Sequence, residues 1–151
     1  MKNCYNYGNN KRTDTFAQPG RAAGAMYALP ITCNGAYNAA VADGLVPLTA
    51  SGACPGGRDK VALVVAPCVA PGCAAPFYNG NDFHWYRLGS DLMWTHKPGG
   101  SQATNLDNSF NLIANPETAN RCGSGLCYSD FCGYLCSCSD VQQGQGHENI
   151  N

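Results

Sequence analysis

The clearest hydrophobic run in the chain is Lys60 to Ala66, KVALVVA. It is short, rich in Val and bounded by Pro and Gly on both sides, which predicts a buried central β-strand. Two further segments alternate. Asp82 to Leu88 places Asp82, His84 and Tyr86 on one face and Phe83 and Trp85 on the other. Leu92 to Lys97 places Leu92, Trp94 and His96 on one face. The turn signal Gly89-Ser90-Asp91 between them predicts a hairpin. Phe131 to Cys138 alternates as well and predicts a fourth strand, 131–138.

Helical signals are weaker. Asn3 stands where an N-cap would open a short helix at Cys4, and Gly8 with Asn9-Asn10 limits its length. Residues 29–59 are rich in Ala, Gly and Pro and read as irregular, with one short helix near Tyr37 to Ala42. The expected fold class is α+β, a single domain over 1–151: an N-terminal helix packed on a mainly antiparallel sheet, supported by disulfides.

Composition adds the compartment. Ten cysteines in 151 residues is dense for a cytosolic chain, where thiols are kept reduced. An even count in a loop-rich sequence reads as a disulfide framework, so a secreted, extracellular or periplasmic location is expected. Cys33 and Cys54 are expected to fasten the irregular segment to something more regular, and Cys68 and Cys73 are close enough to bridge locally. The start Met1-Lys2-Asn3-Cys4 lacks the apolar core of a signal peptide. A leader removed beforehand, or another export route, would reconcile the two observations.

Charged residues make up 13% of the chain, about half the usual share, and the net charge is −1 without a basic run. That argues against nucleic acid as a partner. No segment approaches the ~20 apolar residues of a membrane span. The five C-terminal cysteines, from Cys122 to Cys138, lack the Cys-x2-Cys pair of a zinc site, so no metal or other cofactor is expected.

Candidate chemistry centres on Cys4, His84 and His96. A thiol nucleophile needs a base, and the base needs a group to orient its other ring nitrogen. With a three-residue hairpin loop, residue 84 faces residue 96, and the two imidazoles meet on one face. A shift of one position would send His96 to the other face. Asp82 reads as a turn carboxylate. With one face left exposed, Trp85, Trp94, Tyr86 and Tyr78 would form an aromatic platform for carbohydrate.

The stretch Asn3-Cys4-Tyr5-Asn6-Tyr7 and the His84/His96 spacing resemble the NlpC/P60 and CHAP groups of papain-like cysteine hydrolases. By that resemblance the fold would be papain-like. Cys4 would be the nucleophile, His84 the base and His96 its orienter, and the activity would be amidase or peptidase action on a peptide or glycopeptide substrate such as peptidoglycan stem peptides. Trp85 departs from the pattern, which has a small residue after the base. A second resemblance spans more of the chain. Phe16-Ala17-Gln18-Pro19-Gly20-Arg21, His96-Lys97-Pro98-Gly99 and Asp107-Asn108-Ser109 are similar to a scattered family of small secreted proteins that includes insoluble shell-matrix proteins. This implies a structural role, with copies of itself as partners in an extracellular matrix or filament.

Overall fold

The computed structural model describes residues 3–11, 16–69, 80–123 and 125–137. Two helices, α1 (Cys4–Gly8) and α2 (Cys33–Ala42), pack on a sheet with the order β1-β7-β2-β3-β4. Its strands are β1 (Val46–Leu48), β2 (Lys60–Ala66), β3 (Asp82–Leu88), β4 (Trp94–His96) and β7 (Asp130–Cys136), all antiparallel to their neighbours. A small hairpin, β5 (Cys122–Gly123) with β6 (Leu126–Cys127), lies apart. The architecture is α+β with a mainly antiparallel sheet.

The Val-rich run is the central strand it resembles in sequence: every residue from Val61 to Ala66 is buried. Its odd positions, Val61, Leu63 and Val65, join Phe83, Trp85 and Leu135 under the helices. Ala62 and Val64 join Tyr86, Trp94, Ile113 and Tyr134 on the opposite face. Strand β7 keeps its alternation only by adding a bulge. Leu63 pairs with Gly133 and Val64 with Phe131, so Cys132 is the extra residue. Gly133 has φ +131°, and a Cβ there would stand 3.3 Å from the Tyr37 ring. Both facts call for glycine.

Five residues are too few for a stable isolated helix. Helix α1 is held by a reciprocal cap in which Asn3 Oδ1 accepts from Asn6 N at 3.0 Å and Asn6 Oδ1 accepts from Asn3 N at 3.1 Å. Gly8 lets it sit close to β3, since a Cβ would lie 3.3 Å from Trp85 Cβ. Tyr7 donates to Thr95 Oγ1 at 2.8 Å, and the Arg87 guanidinium lies 4.4 Å over the Tyr7 ring. Helix α2 starts earlier than the sequence suggests, because Thr32 caps it by accepting from Gly35 N. Tyr5 ties the two helices together by donating to Asp43, the residue that ends α2, at 2.7 Å.

Cys33–Cys132 and Cys54–Cys136 both end on β7, so the irregular segment is fastened to the sheet as expected. Cys122–Cys127 closes the small hairpin. Cys68 is also a half-cystine; Cys73 and Cys138 lie outside the described residues, as do Tyr78 and His147.

The hairpin register differs from expectation. Tyr86, not His84, faces His96, and Leu88 faces Trp94. The loop runs from residue 89 to 93, closed by Gly89 N donating to Met93 O at 2.8 Å. Leu92 adopts φ +64° within it. The slip is two positions, which preserves the face of every side chain. The expected strand 92–97 is accordingly reduced to residues 94–96.

Candidate functional site

His84 and His96 come together as diagonal neighbours, with His84 Nε2 and His96 Nδ1 2.8 Å apart. The second nitrogen of His96 fixes the proton positions. His96 Nε2 is 2.9 Å from the Leu106 carbonyl, which can only accept, so Nε2 carries the hydrogen. In a neutral ring Nδ1 is then an acceptor. His84 must donate from Nε2, which leaves the lone pair on its Nδ1. Burial pushes the His84 pKa down to about 3, helped by the neighbouring His96, and burial lowers that of His96 as well. Both rings are neutral at pH 7. Tyr86 stacks on His96 with centroids 5.0 Å apart, and Tyr128 lies 5.3 Å from His84.

Cys4 is unbridged and buried at the first residue of α1. It belongs to the apolar cluster of Phe83 and Trp85, whereas His84 alternates onto the opposite face of β3, the face of Tyr86. What they share is backbone. Cys4 Sγ lies 3.9 Å from Phe83 O and engages the backbone at Trp85, so it brackets His84 where β3 runs past the end of β4. Burial, reinforced by the negative charge of Asp82, raises the thiol to about 12. The resting pair is therefore a neutral thiol and a neutral imidazole, and a thiolate would form only as its proton leaves.

The imidazoles are reached through a cavity of about 350 Å3 whose walls include Asp82, Tyr86, Arg121, Leu126 and Tyr128. Sequence reasoning missed Arg121 and Tyr128 and undervalued Asp82. Far from being a turn carboxylate, Asp82 accepts from Tyr128 Oη at 2.7 Å inside this cavity. No local motif announces a contact made across 46 residues. The aromatic platform is corrected. Trp85, Tyr86 and Trp94 are core residues with 0%, 3% and 5% of their surface exposed.

This geometry stands beside one comparison with known proteins. The chain is 43% identical over 133 residues to insoluble matrix shell protein 1 of Ruditapes philippinarum, an alignment covering 88% of this chain and 77% of that protein. The chain belongs to the family of that shell protein. No family model matches it, NlpC/P60 included. No solved structure matches it. Of the two likenesses seen in the sequence, the shell-matrix family is the one with support at the level of the whole chain. Among the described residues no helix is long and apolar enough to cross a membrane.

Proposed function

We propose that this is a secreted structural protein that assembles with copies of itself in an extracellular matrix. The observation that carries this reading is the 43% identity, over 88% of the chain, to a protein named for an insoluble shell matrix. Two physical features support it. Three disulfides among the described residues suit an oxidising exterior. A chain with 13% charged residues and a net charge of −1 has little electrostatic repulsion to keep copies apart. Sedimentation velocity of the oxidised protein across a concentration series tests it. Growing assemblies are expected. A monomer at every concentration and ionic strength would remove the reading.

A second reading, a papain-like cysteine amidase, rests on the 2.8 Å imidazole pair and on an unbridged Cys4 that meets the β3 backbone on either side of His84. In it the Cys4 sulfur adds to the amide carbonyl as its proton passes to His84 Nδ1. That proton goes to the nitrogen as the C–N bond breaks and the amine leaves, and water then hydrolyses the thioester to restore the thiol. His96 holds the His84 ring throughout, by a bond anchored on Leu106 O. The raised thiol pKa requires proton transfer to accompany attack. Iodoacetamide labelling followed by peptide mapping tests the pairing. Alkylation at Cys4 that slows in His84→Gln supports the reading; identical labelling in both proteins, or cleavage of no peptide amide, sinks it.

A further inference from the structure

The cavity that exposes the imidazoles carries two fixed charges on its walls. Arg121 donates from Nε to Tyr128 O at 2.8 Å and from Nη1 to Pro116 O at 2.6 Å and Glu117 O at 2.7 Å. Its Nη2 reaches Ser129 O at 3.4 Å. All four partners are backbone carbonyls, so the guanidinium is held in place by neutral groups. Among the described residues no carboxylate pairs with it, and one of its five N–H groups remains unused. Asp82 is fixed in the same way by neutral donors, Tyr128 Oη at 2.7 Å and Phe83 N at 2.8 Å. Among the described residues no Lys or Arg pairs with it.

Tyr128 spans the two. Its carbonyl accepts from Arg121 and its hydroxyl donates to Asp82, so one residue contacts both charged groups. A cation at one end and an anion at the other disfavour a ligand with a single strong charge, which would meet repulsion at one wall. A zwitterion meets attraction at both. Tyr86, Leu126 and the His96 ring add apolar and aromatic surface to the same cavity.

We infer that this cavity binds a small zwitterion such as a dipeptide, with the ligand carboxylate at Arg121 and its ammonium at Asp82. The site needs no atom of Cys4, and binding here is independent of self-assembly. It therefore goes beyond both readings above.

Calorimetry with Ala-Ala, N-acetyl-Ala-Ala, Ala-Ala amide and acetate tests the inference on the full oxidised chain. Ala-Ala is expected to bind in the millimolar range or tighter, and each blocked form and acetate at least tenfold more weakly. Arg121→Met should abolish binding. Because Arg121 also braces four carbonyls, Asn108→Asp provides a second variant. It leaves the arginine in place, adds a carboxylate at the exposed cavity rim, and should weaken Ala-Ala severalfold. No heat with millimolar Ala-Ala, or equal affinity for the dipeptide and its blocked forms, overturns the inference. Binding without cleavage supports it while counting against the hydrolase reading.

Discussion

The two faces of β3 are built by alternate residues of one seven-residue strand, yet they bury different chemistry. Phe83 and Trp85 lie under α1, among aliphatic side chains and a protonated thiol. His84 and Tyr86 lie on the other side, against Trp94, the residues around Ile113 and the Tyr128 ring. The first face is closed by helices that satisfy their own backbone. The second is closed largely by irregular chain from 97 to 121, whose carbonyls need donors, and His96 and Arg121 supply them. The difference teaches that the polar site follows from what covers it. A loop-covered face has backbone groups left over to hold side chains rigidly.

Four experiments separate the faces. Trp85→Ala removes the largest fully buried side chain of the helical face and should lower stability by about 4 kcal/mol, read by chemical denaturation. A loss under 1 kcal/mol would mean that this face is not where stability resides. Removing Cys33–Cys132 by serine at both positions should lower stability by about 3 kcal/mol. The bridge closes 99 residues, but Cys54–Cys136 already closes most of the same loop, so the full entropic effect of about 5 kcal/mol is not expected.

The imidazole face should reveal itself through pH. His84 titrates near 6.5 in the unfolded chain and at about 3 when folded, so below pH 6.5 the unfolded state binds the extra proton. Its contribution is complete above 6.5 and lost as pH falls toward 3, amounting to about 2 kcal/mol between pH 7 and 5. His96 acts in the same sense. Asp43 and Asp82, with raised values, act oppositely: their penalty at neutral pH is relieved in acid. Comparing the pH slope of stability in wild type and His84→Gln isolates the histidine contribution; parallel slopes would mean that the ring takes up its proton at the same pH folded and unfolded. The smallest effect is expected for Tyr128→Phe, about 1 kcal/mol, because Asp82 keeps its Phe83 amide and loses only the hydroxyl.

Much of the scaffold was legible because its signals are local. Asn3 announces the start of α1, though not its reciprocal partner Asn6, and the Val-rich run at 61–65 has no other stable home than a sheet interior. The alternation from Asp82 to Leu88 assigned each side chain to its face correctly. The hairpin register was not legible. Its loop length depends on Leu92 accepting a left-handed backbone, which a leucine does not advertise. The meeting of His84 and His96 survived that error because a two-residue slip restores the face. Strand β1 was hidden by Pro47, which fits an edge strand but removes the usual signal. The charged walls of the cavity were invisible for another reason. Arg121 is positioned by carbonyls, and every residue has one, so no spacing rule marks the arrangement.

Two bridges that converge on β7 also set how the molecule would respond to being pulled. With Cys33 joined to Cys132, traction applied at its two ends can never draw out the 99-residue span between them. The load passes through sulfur instead, leaving the strands of the sheet in the slack part of the circuit. In an assembly of such units the span inside the clasp would stay folded under strains that open an unbridged domain.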